Sequence, residues 1–289
     1  MGKANTAGIQ LGIFAKTFPG SDASTVLAAV RAAGYTATQY NMACSGLAAM
    51  PDAIEASATQ AVAQAAREQG VAMTAVSGTY NMIHPDVAVR AAGHARLATL
   101  AAACAGLGTR VITLCTGTRD AQDQWHGHPD NTTPEAWRDL LASMERAIEI
   151  ADEHDVLLGI EPELANVVNS AQRARALIDQ LGSERLRIVL DPANLFEVAT
   201  LAEQRDTVSA AIDLLADRIV MGHAKDRHAD GRFATAGTGV LDYAHYLAGL
   251  QRVGFNGPLI THGLAAEEAA GVAVFLRAAL AEAGIEVRP

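Results

Sequence analysis

Leu157-Leu158-Gly159-Ile160-Glu161-Pro162-Glu163 is a short apolar run that ends in a carboxylate, with proline directly behind it. Read as a strand, it puts Leu157, Gly159 and Glu161 on one face and Leu158 and Ile160 on the other. Glu163 shares the parity of Glu161 and forms a second, outer carboxylate. A carboxylate closing an apolar strand is costly to bury without a partner. A metal ion or a substrate hydroxyl would satisfy Glu161, and so would a salt bridge to a neighbouring strand end.

The same ending recurs three times downstream. The run 186–190 ends at Asp191, the run 219–221 leads to His223, and the run 259–261 ends at His262. The four residues are spaced by 30, 32 and 39 positions. A strand with its crossover helix takes about 30 residues. Four further strand candidates lie upstream, at 10–14, 37–40, 71–76 and 110–114. Between and after the strands come Ala-rich segments of helical periodicity at 25–33, 54–69, 87–105, 134–154, 171–181, 201–215, 243–253 and 267–283. Pro134 after Thr132-Thr133 marks a helix start, and Gly34, Gly70, Gly106 and Gly182 mark helix stops. Eight strands alternating with eight helices imply a single-domain (β/α)8 TIM barrel over residues 1–289. The competing open doubly wound sheet lacks its phosphate loop, because no G-x-G-x-x-G follows the first strand.

In a closed parallel barrel, the strand C-termini share one mouth, where active sites sit. Each of the four residues has a plainer reading when taken alone. Asp191 before Pro192 suits a helix cap, and His223 and His262 suit hydrogen-bonded core histidines. Together, at the ends of four consecutive strands, they form a candidate divalent-metal site. Two carboxylates and two imidazoles suit Mn, Fe, Co, Ni or Zn, with Mg less favoured. Lysine occurs only at Lys3, Lys16 and Lys225, and the last two fall at strand ends. Lys225 beside the mouth suits steadying of an oxyanion. The connections 116–133 and 224–242 are long and belong to the mouth, which they could cover. Lys16, His84, Arg119, His128, Glu163, Asn194 and Asp226 are candidate substrate contacts. Thr116-Gly117-Thr118-Arg119 could hold an anion through backbone donors and a guanidinium. Trp125-His126-Gly127-His128 suits substrate contact or lid packing, and Cys115 suits packing.

A chain of 289 residues, half of them hydrophobic, can bury a large core. No apolar stretch approaches the ~20 residues of a membrane span, and no basic start followed by an apolar segment suggests a leader. The net charge of -10 disfavours a general grip on nucleic acid. Three cysteines without a C-x-x-C pair imply buried thiols and a reducing cytoplasm. The expected partner is a small polyhydroxylated molecule, with no nucleic acid or membrane involved. Apolar faces on the barrel helices also suit a homo-oligomer.

At these residues the chain resembles the xylose isomerase-like TIM-barrel family of sugar isomerases, ketose 3-epimerases, inosose dehydratases and endonuclease IV relatives. The segments that carry the resemblance are Ile160-Glu161-Pro162, His223-Ala224-Lys225-Asp226, Gly237-Thr238-Gly239 before Asp242, and Gly254-Phe255-Asn256-Gly257-Pro258-Leu259. Gly78-Thr79-Tyr80-Asn81-Met82-Ile83-His84-Pro85 looks like the family's loop after the third strand. The resemblance implies metal ligands at Glu161, Asp191, His223 and the eighth strand end. In the family's epimerases the fifth- and eighth-strand ligands are both glutamates that exchange protons with the substrate. Here the eighth position is His262. The family often has a histidine three residues after the sixth-strand aspartate, where this chain has Asn194. The epimerases' further substrate-contacting glutamate falls near Asn166 and Val167, without a match.

The exchange of glutamate for histidine leaves the ligand set one negative charge smaller, so an enediolate would be stabilised more strongly. The expected activity is a metal-dependent sugar or sugar-phosphate isomerisation or epimerisation by proton transfer next to a carbonyl, with Glu161 as base. Lys225 would steady the charge, and His262 could donate a proton only if it is not bound to metal. The alternatives are a lyase that dehydrates an inosose-like ketone and a sugar-binding barrel without catalysis. Phosphodiester hydrolysis would need a multi-metal cluster, with more histidines and carboxylates on strands two to four than occur here.

Overall fold

The structure, a computed structural model, describes residues 8–288. The start of the chain, on which the absence of a leader was read, lies partly outside them. Strands and helices alternate: β1 (Ile9–Phe14), α1 (Ala23–Ala32), β2 (Ala37–Tyr40), α2 (Ala56–Gln69), β3 (Ala72–Ser77), α3 (Val87–Leu107), β4 (Val111–Cys115), α4 (Pro134–Glu153), β5 (Leu157–Glu161), α5 (Ala171–Leu181), β6 (Leu186–Leu190), α6 (Leu201–Leu215) and β7 (Ile219–Ala224). A short hairpin, β8 (Asp226–Arg227) and β9 (Phe233–Ala234), precedes α7 (Tyr243–Arg252), β10 (Pro258–Thr261), α8 (Ala269–Glu282) and β11 (Val287–Arg288). All barrel pairings are parallel, and the sheet closes by pairing of β10 with β1. This is the (β/α)8 barrel implied by the spacing, with β10 as its eighth strand.

Local chemistry sets the element ends. Asp22, Thr133 and Ser170 cap α1, α4 and α5 through side-chain oxygens that accept backbone N–H groups. Thr200 and Glu203 close a reciprocal capping box on α6. Gly70 and Gly182 end their helices in the left-handed region, as read. Gly106 does not stop α3, which runs on to Leu107 and is capped by Gly108. A glycine inside a helix and a glycine past its end look alike when they stand two positions apart.

Two further differences stand at opposite ends of the barrel, one at the mouth and one beside the start of β1. The connection after β7 is partly ordered as the hairpin β8–β9, whose two-residue strands are too short to show alternation. β11 adds a ninth parallel strand beside β1. Among the described residues, no helix is long and apolar enough to cross a membrane. Cys44, Cys104 and Cys115 are buried and unpaired.

The core has two parts. The larger lies between sheet and helices, with Leu11, Leu100, Ile188 and Leu259 among its fully buried members. The smaller fills the barrel interior and consists of Ala75, Val111, Val189, Met221 and Ile260. Gly159 completes this layer on β5, where a Cβ would meet Val189 at 2.9 Å. Successive inward positions on a strand are two residues apart. Two residues beyond this apolar plug, the same inward direction brings Ser77, Thr113, Glu161, Asp191, His223 and His262. The sheet thus sets one polar layer above one apolar layer, at the C-terminal mouth.

Candidate functional site

Glu161, Asp191, His223 and His262 each offer one ligand atom, and these atoms lie within 4.8 Å of one another. Glu161 is the last residue of β5 and His223 the fifth of β7. Asp191 and His262 directly follow β6 and β10. The His223 Nδ1 lies 3.1 Å from Glu161 Oε1, and the His262 Nε2 lies 3.0 Å from Asp191 Oδ2. Two donors on one ion with bonds of roughly 2.0–2.2 Å stand about this far apart. The donor set therefore fits a divalent transition-metal ion, and the same four groups could hold one. Asp191 also serves as the cap suggested for it, accepting from Ala193 N at 2.9 Å.

The surroundings fix the charges. Burial opposes ionisation of Asp191, but the Lys225 ammonium and the two imidazoles outweigh it and hold the carboxyl far below the usual range. Burial likewise opposes ionisation of Glu161, and His223, then His262, overcome it and keep the group anionic. His262 is pushed down by burial, and then by His223 and Lys225, against the pull of Asp191. Asn194 ties the cluster together. Its Nδ2 donates to Glu161 Oε1 at 2.9 Å, and its Oδ1 accepts from Lys225 Nζ at 2.9 Å. Lys225 Nζ lies 3.3 Å from Asp191 Oδ2 and 3.8 Å from the centre of the Phe233 ring.

Above this layer opens a pocket of about 770 Å³, within the ~300–1,000 Å³ usual for small-molecule sites. Lys16, Glu163, Asn194 and Lys225 line it, together with Glu161, His223 and His262. Phe14, Met50, Trp125, Leu164 and Phe233 supply apolar surface. Trp125 of the long loop after β4 thus faces the pocket, as does Cys115, whose thiol burial keeps protonated.

Four of the proposed substrate contacts do not line this pocket. His84 Nδ1 accepts from Asp86 N at the start of α3. Arg119 reaches away, to Asp139 Oδ2 at 2.7 Å and to the Ile83 carbonyl at 3.2 Å. The suggested anion cradle around it is closed, because Gly117, Thr118 and Arg119 donate their N–H groups to the side chains of Asn166, Asn81 and Asn131. His128 Nδ1 accepts from Asp130 N and caps the turn before α4. Asp226 is fully buried and accepts four backbone N–H groups from its own loop. His126 pairs with Asp120 at 2.7 Å, outside the pocket lining.

Several polar residues of the pocket had not been singled out in the sequence, Gln39 and Arg227 among them. Gln39, on β2, hydrogen-bonds His223 and Thr113. Arg227 lies across the β8–β9 hairpin from Phe233, its guanidinium 4.1 Å from the ring centre. The alternation that aligned Glu161 with Glu163 would have found both: Gln39 follows Ala37 by two, and Arg227 follows Lys225 by two.

Glu163 carries a measurable signature. Burial first, and then the negative charge of Glu161, push its carboxyl up to about 8. In the native state it therefore keeps a proton that the unfolded chain releases in the ordinary carboxylate range. The folded state binds more protons between that range and about pH 8, so this group makes stability fall as pH rises through that window. Thermal melts of metal-free protein at pH 5 and pH 8 are expected to show this fall, and a Glu163→Gln variant is expected to show less of it. An identical fall in both proteins would contradict the assignment.

A family model described as xylose isomerase-like TIM barrel matches residues 27–286. The chain belongs to that family. Among solved structures, L-ribulose 3-epimerase superposes with a TM-score of 0.75 at 19% identity, covering 96% of both chains. The 3-keto-D-glucoside 4-epimerase of E. coli gives 0.74 at 15% identity, covering 93% of this chain and 99% of its own. D-Psicose 3-epimerase from Clostridium cellulolyticum H10, solved with D-tagatose, gives 0.69 at 16%, covering 96% and 98%. At such identities, likeness speaks for the fold. No curated protein sequence matches the chain significantly.

Proposed function

We propose that this xylose isomerase-like barrel is a divalent-metal-dependent isomerase or epimerase of a sugar or sugar phosphate, working by proton transfer next to a carbonyl. The observation that carries the reading is the quartet of ligand atoms within 4.8 Å, set under a pocket that Lys225 also lines. Several structural neighbours are epimerases of sugars, which agrees with the reading.

A bound divalent ion would supply Lewis-acid polarisation of the substrate carbonyl. The residues of the chain would move and steady the protons. Glu161 is anionic and takes the proton from the carbon beside the carbonyl. Its Oε1 faces His223 and Asn194, while its Oε2 meets no protein donor among the described residues. The Lys225 ammonium, held by Asn194 and Asp191, stabilises the negative charge that develops on oxygen. Glu163 lies two residues further out and lines the pocket, where it would hold a substrate hydroxyl, and Glu161 would return the proton it took. Apolar surface from Phe14, Met50 and Phe233 limits the access of water.

His262 in place of a second ligand glutamate favours a one-base route over symmetric two-base exchange, and keeps dehydration as a second reading. Both are tested by stripping the protein with chelator, restoring Mn or Co, and incubating it in D2O with a panel of keto-sugars and their phosphates. The expected result is metal-dependent deuterium incorporation next to the carbonyl, in a product of otherwise unchanged composition. A product lighter by one water would favour the lyase. Tight binding of panel sugars without exchange or turnover would favour the non-catalytic barrel.

A further inference from the structure

We propose that Gln39 is a positioning residue that sets the tautomer of His223, holding the proton on Nε2 so that Nδ1 is the atom offered to the ion. The assignment rests on the metal-centre reading above. It concerns a residue on β2, outside the four strands that supply the ligands.

The geometry is specific. Gln39 is 7% exposed, so its amide needs hydrogen-bond partners from the protein. Its Nε2 donates to Thr113 Oγ1 at 3.0 Å. Its Oε1 faces His223 Nε2 at 2.9 Å. An amide oxygen only accepts, so with the amide turned this way Nε2 of the imidazole carries the hydrogen. The other nitrogen, Nδ1, points at Glu161 Oε1 from 3.1 Å. A neutral ring of this tautomer would set a lone pair against a carboxylate, and a cation shared by the two removes that conflict. With the opposite tautomer, Nδ1–H would donate to Glu161 and leave no lone pair for an ion between them.

The backbone aims Gln39 at this task. The β2–β3 register slips after Thr38, so that Thr38 pairs with Met73 and Gln39 with Ala75. The extra residue, Thr74, lies on β3, so β2 keeps its alternation and Gln39 its parity with Ala37. The skipped Thr74 satisfies its hydroxyl by donating to the Thr38 carbonyl at 2.9 Å. Ala75 belongs to the apolar plug, which places Gln39 beside the barrel interior with its amide directed at His223.

Holding the second nitrogen of a ligating histidine typically changes metal affinity by 10–100-fold. Gln39→Leu removes the acceptor at similar size, whereas Gln39→Glu keeps one. Dissociation constants for Zn and Co from chelator competition are expected to rise about 10–100-fold in Gln39→Leu and to recover largely in Gln39→Glu. Thr113→Val, which frees the amide to turn, is expected to have a smaller effect of the same sign. In 15N-histidine-labelled wild-type protein, the His223 imidazole shifts are expected to show the proton on Nε2 with and without metal, and the metal-induced shift on Nδ1. Wild-type affinity in Gln39→Leu, or a His223 ring whose only proton is on Nδ1, would overturn the assignment. If wild-type protein binds no divalent ion, the metal-centre reading fails instead, and the metal-free shifts still decide the tautomer.

Discussion

Asp191→Ala is expected to abolish tight divalent-ion binding and, with it, turnover. Asp191 supplies one of the two anionic donors and is 1% exposed. Its carboxylate also faces His262 Nε2, accepts from Ala193 N and pairs with Lys225. Alanine therefore removes a ligand and a counter-charge in one change. Breaking a buried ion pair from one side costs about 3–5 kcal/mol, because the remaining charge stays buried and alone. The variant is expected to fold less stably even without metal, so loss of activity alone would be ambiguous. Asp191→Asn separates the effects. It keeps the shape and an acceptor oxygen, but lacks the charge that favours a cation. Elemental analysis after chelation and reloading is expected to find about one ion per wild-type chain and little in either variant. Full loading with unchanged turnover in Asp191→Ala would contradict the site.

Asp226→Ala is the second large effect, and it acts by a different route. Asp226 Oδ1 accepts from Arg227 N at 2.8 Å and Leu241 N at 2.9 Å. Its Oδ2 accepts from Gly239 N at 3.0 Å and Gly237 N at 3.1 Å. One buried carboxylate thus gathers the loop that carries the β8–β9 hairpin, and with it Arg227 and Phe233. Glycine at 239 is required by this closeness, since a Cβ there would fall 2.1 Å from the Arg227 carbonyl oxygen. Removing the acceptor leaves buried donors unmet, at a cost on the order of 3 kcal/mol or more. In a chain of this size that corresponds to a drop of roughly 6 °C or more in melting temperature. Ligand binding is expected to weaken as well, because Phe233 lines the pocket and covers Lys225. A variant that melts with the wild type would show that the loop is held by other means.

The barrel was legible because its period is coarse. Runs of three to six residues, spaced by roughly one strand-helix unit of about 30 residues, survive errors of a residue or two at each end. The four ligand candidates were legible for the same reason, since each stands where an inward-facing strand position meets the mouth. The outer contacts were not. Arg119, His84, His128 and Asp226 are polar residues in loops near the mouth, and whether a loop donor is free depends on distant side chains such as Asn81, Asn131 and Asn166. No local pattern reveals that asparagines from three separate loops fill the would-be cradle. Asp226 lies one residue beyond Lys225, which lines the pocket, and the one-residue step turns it to the opposite side. Gln39 shares the parity of Ala37 and was open to the same alternation, but a four-residue strand offers only two inward positions to mark a face.

The central claim is that Glu161, Asp191, His223 and His262 close on one divalent ion. The most direct measurement is anomalous diffraction from crystals soaked in Mn or Zn. The expected result is a single strong peak at the barrel mouth, with ligand oxygens and nitrogens at roughly 2.0–2.2 Å, His223 bound through Nδ1. No peak there, with the four side chains keeping their direct contacts to one another in saturating metal, would contradict the account.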